Sequence, residues 1–310
     1  MPRFHVEKSI EIAAPPQTVY EKVVDFKTWP TWSPWLCAEP DAQVTISENS
    51  NSQGSLYKWS GEVVGAGEIE HIKLDPHRRI DEEIRFLKPF ASTSSVAFDV
   101  EPSGLGTKLT WHMDGSLPWF MFWMTGMMKG FIGMDYERGL KMLKEWIETG
   151  TIHSKTNILG IEEIGPIHMA GLRRSCSLKD IGGTMQGALG QMMDLYAKHG
   201  LPSEGKLMAA YHKFHIGKQT CEFTVGTILP SGDIDVPAPL EKWSCPQTKA
   251  FCVEHLGDYN HLGNGWSAAN QHVRYKKLKQ RNCSAFEIYE NNPDKTPIDQ
   301  LQTKIYLPLK

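Results

Sequence analysis

The order of elements expected in the second half of this 310-residue chain occurs twice, and this repeat constrains the fold more than any other feature. The first copy predicts strand, helix, strand and strand at IHMAGLRRSC, DIGGTMQGALGQMMDLYAKHG, KLMAAYHKF and QTCEFTVGTIL. The second predicts the same order at TKAFCVEHL, NHLGNGWSAANQHVRYKKLKQR, CSAFEIYEN and LQTKIYLPL. An offset of 78 residues aligns Tyr211 with Tyr289 and Pro230 with Pro308. We therefore expect a pseudo-twofold α+β domain with antiparallel strands.

The first half predicts a different α+β arrangement. HVEKSIEI alternates with the period of a strand, and Pro15 and Pro16 open a helix. Six further strand candidates follow, separated by Gly, Pro, Asn, Asp and Ser turns, which favours an antiparallel sheet. The helix DYERGLKMLKEWIE closes this half with one apolar stripe, formed by Tyr136, Leu140, Leu143 and Ile147.

Charge and tryptophan content change near the middle of the chain. Residues 1–150 hold 15 Lys and Arg against 21 Asp and Glu, whereas residues 151–310 hold 18 against 15. Eight of the ten tryptophans lie in the first half. The polar, non-periodic GTIHSKTNILG stands between them. We predict two domains, residues 1–150 and 151–310.

Composition argues against several classes of function. The net charge of −3 lacks the basic footprint of a nucleic-acid coat protein, and RYKKLKQR reads most simply as the solvated side of a helix. No HExxH, GxSxG, P-loop or GxGxxG motif occurs, so we expect no cofactor. His212 and His215 point to opposite faces of a strand, so no metal site is expected there. Six scattered cysteines and no signal peptide favour the cytoplasm.

One segment, GSLPWFMFWMTGMMKGFIGM, is long enough to cross a bilayer, and Lys129 is its only charge. Pro118, four glycines and the amphipathic continuation argue against a membrane span. The alternatives are a Met- and aromatic-rich lid or core helix, which we favour, and a surface that touches lipid. In the first alternative, residues 119–134 border a cavity of the first domain.

Glu287 is the main candidate for a functional carboxylate. In SAFEIYEN it shares a strand face with Tyr289 in an otherwise apolar segment, and Ala209 is its counterpart in the other copy. A carboxylate in one copy alone favours a site, while a solvated Glu on a half-buried strand is the alternative. Together with Tyr211, Tyr306 and Trp266, Glu287 could form an aromatic-walled cleft for a flat, apolar or cationic molecule.

Large side chains in the first half leave two possibilities open. Trp59 shares a strand face with Tyr57, and Trp111 shares one with Leu109 and Met113. A curved sheet carrying these residues against a long helix encloses either a packed core or a lipophilic cavity.

Residues 4–148 resemble the START-like (SRPBCC) superfamily of the polyketide cyclase/dehydrase and lipid transport type. The resemblance rests on IEIAAPPQTVYEKVVDFKTWPTWSPW, GEVVGAGEIEHIKLDP, GTKLTWHMDG and the closing helix. It implies a helix-grip fold, a curved antiparallel sheet wrapped on a long helix around an apolar cavity. It implies no particular catalytic residue.

Residues 160–310 resemble the GyrI-like small-molecule-binding domain, the effector domain of AraC-type and multidrug-sensing MerR-type regulators. The resemblance rests on GDY, which ends at Tyr259 ahead of the helix bearing Trp266, and on FEIYENNP and TKIYLPL. It implies that Glu287 lies in a ligand pocket with Tyr306 of the last strand. The helix-turn-helix of those regulators is missing here, so direct contact with nucleic acid is not expected.

These observations lead to three hypotheses. The first is a cytoplasmic binder that senses or sequesters lipophilic small molecules, with Glu287 as polar anchor. The second is a hydrolase of electrophilic natural products, with Glu287 as general base and Tyr211 or Tyr306 as proton donor; some stand-alone relatives are similar to such hydrolases. The third is a scaffold with vestigial pockets. A homodimer or a partner regulator remains open, and a membrane partner is not expected.

Overall fold

The computed structural model describes residues 2–104 and 106–310, which form two compact units, Met1–Ile152 and His153–Lys310. Each unit contains one antiparallel sheet and a few helices, so the predicted α+β class is confirmed.

The sheet of the first unit has seven strands in the order β1-β7-β6-β5-β4-β3-β2. Burial alternates along β1, which places Phe4 and Val6 inside and His5 and Glu7 outside. The strands are β1 (Arg3–Ile12), β2 (Gln43–Ile46), β3 (Leu56–Ser60), β4 (Ala66–Asp75), β5 (Arg79–Lys88), β6 (Ser92–Ser103) and β7 (Gly106–Ser116).

The helices of this unit are α1 (Pro16–Val24), α2 (Trp29–Trp32) and α3 (Thr125–Thr149), with 3-10 turns at Phe26–Thr28 and Trp119–Met124. Proline starts α1 because its fixed φ suits the first helical turn. Gly150, at φ 81°, ends α3 in the left-handed conformation. Helix α3 begins ten residues before the predicted DYERGLKMLKEWIE, and it buries Tyr136, Leu140 and Leu143 of the predicted stripe.

The sheet of the second unit has eight strands in the order β12-β9-β11-β10-β14-β15-β13-β8. Its strands are β8 (Ser154–Ile164), β9 (Ile167–Ser177), β10 (Leu207–His215), β11 (Thr220–Ile228), β12 (Glu241–Cys245), β13 (Thr248–Gly257), β14 (Ala285–Tyr289) and β15 (Gln302–Pro308). Its helices are α4 (Ile181–His199) and α5 (Leu262–Tyr275), and 3-10 turns occur at Leu178–Asp180, Tyr259–His261 and Ile298–Gln300.

The internal duplication is present in the sheet order. β9-α4-β10-β11 is one copy and β13-α5-β14-β15 is the other, and the copies meet where β10 pairs with β14. The equivalent residues Ala209 and Glu287 lie directly opposite each other in that pairing. The pseudo-twofold axis therefore passes beside Glu287.

Two boundaries differ from the sequence prediction. Most of the polar segment between Thr149 and Gly160 belongs to β8, an edge strand paired with β13, because a strand at a sheet edge tolerates polar and exposed side chains. Helix α5 ends at Tyr275, so most of the basic RYKKLKQR cluster follows the helix instead of lying on it.

Candidate functional site

The candidate site is centred on Glu287 in the middle of the second sheet. Strand β14 pairs with β10 on one side and β15 on the other, and Glu287 lies opposite Ala209 and Ile305. Its side chain is fully buried, with 0% exposure. Ala209 has no side chain beyond Cβ, and the position opposite Glu287 therefore leaves room for the carboxylate.

Three hydrogen-bond donors converge on this carboxylate. Tyr211 and Tyr289 each donate a phenol hydroxyl to Oε1, at 2.8 and 2.5 Å. Trp266 of α5 donates Nε1 to Oε2 at 2.7 Å. The two tyrosines are the residues equated by the 78-residue offset, so the duplication brings two equivalent phenols to a single carboxylate.

Burial dominates the electrostatics of the site. Burial raises the pKa of Glu287, and the hydrogen bonds from Tyr289, Trp266 and Tyr211 oppose that rise. Within residues 2–104 and 106–310, Glu287 forms no ion pair with a lysine or arginine. A buried carboxylate without a countercharge depends on hydrogen bonds and on protonation to offset the cost of burial.

Aromatic rings form the walls of the site. Tyr211 contacts Trp266 edge-on at 5.0 Å between ring centroids, and Tyr259 contacts Tyr289 edge-on at 5.5 Å. The hydroxyl of Tyr259 is buried and has no hydrogen-bond partner among the described residues. Burial, followed by the charge of Glu287, raises the pKa of Tyr259 to about 12. This unsatisfied hydroxyl is a second polar group that a ligand can engage.

Helix α4 covers one side of the site. The Tyr289 hydroxyl lies 3.1 Å from the sulfur of Met185 on this helix. Met185 packs against the apolar core of this unit, and the sequence gives no signal for its contact with Tyr289. The helix carries Gly182, Gly183, Gly187 and Gly190, all exposed, and a methyl group built at any of them meets no atom within 4 Å. Glycine weakens a helix relative to alanine, so α4 is a cover of low intrinsic stability.

Tyr306 does not join the other predicted residues. It lies opposite Phe286 in the β14–β15 pairing and stacks on that ring at 5.1 Å. Neighbouring residues of a strand point to opposite faces, so Tyr306 and Glu287 lie on opposite faces of the sheet. The predicted contact between Tyr306 and Glu287 is therefore corrected, and so is the role of Tyr306 as proton donor to a ligand beside Glu287.

The aromatic residues singled out in the first unit lie in or beside a packed core. Both faces of Trp111 are covered, by Phe98 at 4.9 Å and by Tyr136 at 3.9 Å, each in a stacked arrangement. Met113 is buried in the same core, and the half-buried Trp59 packs at its edge. The Trp111 ring therefore presents neither face to a ligand in this structure.

A buried His71–Glu82 pair also lies in the first unit, and sequence reasoning missed it. His71 Nδ1 is 3.0 Å from Glu82 Oε1, and Nε2 donates to the Val24 carbonyl oxygen at 2.8 Å. The Phe26 ring stacks on the imidazole at 3.9 Å. These contacts tie the end of α1 to the sheet, which is a structural role.

The Trp- and Met-rich segment is largely exposed. Trp119 is 76% exposed, and Phe120, Phe122 and Trp123 are also exposed. The expectation of a core helix is therefore wrong for these residues, whereas Gly133 at the end of the segment is buried. In the part of the chain that the structure describes, no helix is both long and apolar enough to cross a membrane.

The histidines of the HKFH motif are separated by their surroundings. Both ring nitrogens of His212 lie within hydrogen-bond distance of hydroxyls, at 2.8 Å from Ser284 and 2.7 Å from Thr224. His215 is exposed at the end of β10.

Comparison with known families assigns the two units to families of small-molecule-binding or cyclase type. Residues 3–148 match the family model described as polyketide cyclase / dehydrase and lipid transport, and residues 160–310 match that of the GyrI-like small molecule binding domain. The chain therefore contains one domain of each family, as the sequence patterns suggested.

No curated protein matches the chain. Similar solved structures include protein CV1439 from Chromobacterium violaceum, at 18% identity and a TM-score of 0.36, over 47% of this chain and 98% of that one. The Aha1 dimer from Colwellia psychrerythraea is similar at 16% identity and a TM-score of 0.33, over 47% and 97% of the two chains. An EcmrR–DNA complex is similar at 18% identity and a TM-score of 0.40, over 58% and 66%.

Proposed function

We propose that this protein binds lipophilic, cationic aromatic small molecules in its second domain, and so senses or sequesters them. The observation that supports this proposal is the fully buried Glu287, which has three hydrogen-bond donors and no countercharge among the described residues. A cationic aromatic ligand would pair with the carboxylate and pack against Tyr211, Tyr289 and Trp266.

Binding requires the site to open, because Glu287 is inaccessible in this structure. We place the opening at α4, since its Met185 lies against Tyr289 and its four exposed glycines weaken the helix. Ligand entry would displace Met185 and give the Tyr259 hydroxyl a partner. The family supports small-molecule binding in general, and the cationic class is the part that Glu287 adds.

The test is direct binding of a cationic dye and a neutral analogue. Fluorescence titration with 10-methylacridinium should show saturable 1:1 binding, and neutral 10-methylacridone should bind more weakly. Equal affinity for the two tricycles would argue against a carboxylate anchor. Mass spectrometry of molecules carried through purification would identify natural ligands.

Hydrolysis of an electrophilic natural product is the second candidate function. The 2.8 Å contact between the Tyr211 hydroxyl and Glu287 Oε1 favours it, because a general base and a proton donor must both reach the reacting atoms. Turnover of an electrophilic cyclopropane substrate, abolished by Glu287→Gln, would support hydrolysis. Binding of the substrate without turnover would argue against hydrolysis and would support small-molecule binding as the function.

We also propose that the protein acts in the cytoplasm, where its six free cysteines would stay reduced. In this proposal a signal reaches other molecules through a partner regulator or a homodimer, because the residues that the structure describes include no recognised DNA-binding module. Chromatography with light scattering, with and without the dye, would reveal a ligand-dependent dimer.

A further inference from the structure

We infer that the outer face of the first sheet carries a binding site for a divalent metal ion, formed by His5, Glu7 and His112. Their potential ligand atoms, two imidazole nitrogens and a carboxylate oxygen, all lie within 4.8 Å of one another. The sequence gives no signal for this cluster, because its residues lie on two strands that are far apart along the chain.

Strand pairing places these three side chains together. His5 and Glu7 are two residues apart on β1, and both point away from the core. Glu7 lies opposite His112 in the pairing of β1 with β7, and His5 lies opposite Asp114. The four residues therefore occupy adjacent positions on one face of two neighbouring strands.

The distances suit a metal ion. His5 Nε2 is 3.4 Å and His112 Nδ1 is 3.7 Å from the same Glu7 oxygen, Oε2. Ligand atoms around a tetrahedral zinc ion, with bonds of about 2.1 Å, lie about 3.4 Å apart. Small rotations of exposed side chains would bring the three atoms to one ion.

Each histidine has a carboxylate at its other ring nitrogen. His5 Nδ1 is 2.9 Å from Asp114 Oδ1, and His112 Nε2 is 2.9 Å from Asp99 Oδ2. Arg79 in turn holds Asp99 through Nη1 at 2.6 Å. A carboxylate behind a ligating imidazole fixes its orientation and increases its basicity, and metal-binding histidines commonly have one. The hydrogen bond to Asp114 directs Nε2 of His5 to the side where Glu7 lies, and His112 Nδ1 faces the same Glu7 oxygen.

Two imidazoles and one carboxylate select borderline divalent ions such as Zn²⁺ over Ca²⁺ or Mg²⁺, which prefer oxygen ligands. Three protein ligands leave a coordination position for water, and His5 and Glu7 are exposed to solvent.

The test is titration of the metal-free full chain with Zn²⁺ at pH 7.5 by calorimetry, and with Co²⁺ by absorption spectroscopy. We expect one Zn²⁺ per chain, and a Co²⁺ spectrum without thiolate charge-transfer bands. His5→Ala and His112→Ala should each abolish this binding, whereas His215→Ala, at an exposed histidine elsewhere, should not. Asp114→Asn should weaken it by about 10-fold or more through orientation of His5 alone.

The proposal is overturned if the wild type binds no Zn²⁺, or if the His5 and His112 variants bind it as the wild type does. Circular dichroism of each variant checks that the sheet is intact. If an alanine variant is unfolded, Glu7→Gln replaces it, because that substitution keeps the size of an exposed side chain and removes its charge.

The geometry points to a second, independent feature, an aromatic surface that docks on anionic membranes. It consists of Leu87, Phe90, Trp119, Phe120, Phe122 and Trp123, all exposed, with Phe90 at 82%. Exposed apolar patches of this kind mark interaction sites.

Topology brings the two parts of this aromatic surface to one end of the sheet. Ser95 near the start of β6 pairs with Asp114 near the end of β7. The β5–β6 loop, which carries Phe90, and the Trp119–Met124 turn, which follows β7, therefore leave the sheet at the same end.

The charges near the aromatic surface favour an anionic membrane as its partner. Residues 86–98 and 115–134 contain no Asp or Glu, and each range contains one lysine, Lys88 and Lys129 respectively. Both lysines are exposed. Tryptophan favours the membrane–water interface, and lysines beside an apolar face attract anionic headgroups.

Co-sedimentation with vesicles tests this surface. The full chain should sediment with phosphatidylcholine/phosphatidylglycerol vesicles several-fold more than with phosphatidylcholine alone, and Trp119→Ser/Trp123→Ser should abolish the difference. Phe214→Ser, at an exposed aromatic of the second unit, is the matched control. Absence of wild-type sedimentation overturns the proposal. A dimer that the double variant dissociates, without vesicle binding, would assign the surface to a second copy of the chain instead.

Discussion

Replacing Glu287 with glutamine removes the charge of the candidate site and keeps its shape. Trp266 Nε1 can only donate a hydrogen bond, so the glutamine oxygen must face Trp266. The amide nitrogen then faces the hydroxyls of Tyr211 and Tyr289, which can accept as well as donate. Each partner remains satisfied, and the variant isolates the contribution of the charge.

The expected loss can be estimated from the contacts. A cationic ligand at Glu287 loses a charged hydrogen-bond partner in a fully buried position, which costs about 2 kcal/mol. That corresponds to about 30-fold in Kd for 10-methylacridinium. Neutral 10-methylacridone should bind the wild type and the variant nearly equally.

A proton accompanies binding. Burial raises the pKa of Glu287, and a bound cation lowers it again, so binding of 10-methylacridinium should release protons. Calorimetry in two buffers of different ionisation heat reports this release, which the Glu287→Gln variant should lack. Glu290→Gln, which removes a carboxylate paired with Lys206 outside the site, is the control and should behave as the wild type does.

Three outcomes would refute this reasoning. Equal losses for the cationic and neutral tricycles would show that the substitution damages the shape of the pocket. Unchanged affinity for both tricycles would show that Glu287 has a structural role and does not anchor the ligand. Loss of affinity without any change in proton release would mean that another group senses the cation.

Four further predictions concern stability and opening. The pKa of Glu287 is raised in the folded state, so the folded protein holds this proton more tightly than the unfolded chain does. The thermal stability of the wild type should therefore fall as the pH rises from the ordinary glutamate pKa to the raised one. Glu287→Gln should lack this trend. Tyr211→Phe removes one donor to the carboxylate, so its pKa should rise further and proton release should move to higher pH in the calorimetric assay. Gly187→Ala and Gly190→Ala lie on the open face of α4, so each should stabilise the protein by about 1 kcal/mol in urea unfolding. Each should also slow association of the dye in stopped flow, because a more stable α4 opens less often. Faster association would contradict opening of the site at α4. Limited proteolysis should cut first at residues 150–153, outside the strands, and leave two folded fragments.

The secondary-structure elements and the equivalence of the two copies follow from local sequence patterns. Period-two alternation identifies the strands, and the 78-residue offset equates Tyr211 with Tyr289 and sets Glu287 against Ala209. Glu287 and Tyr289 share a face because two residues separate them on one strand. These inferences are local or depend on repetition, so they need no knowledge of which strands pair.

Which side chains contact each other depends on how the strands pair in the folded chain. The face of Tyr306 follows from its pairing with Phe286 across β14 and β15, a register that neither strand encodes alone. His5 and His112 are more than a hundred residues apart and become neighbours only because β1 pairs with β7. The exposure of Trp119 depends on what the rest of the fold leaves uncovered. Hydrophobic periodicity sets the direction of a side chain along its own strand or helix, whereas long-range pairing sets what it contacts.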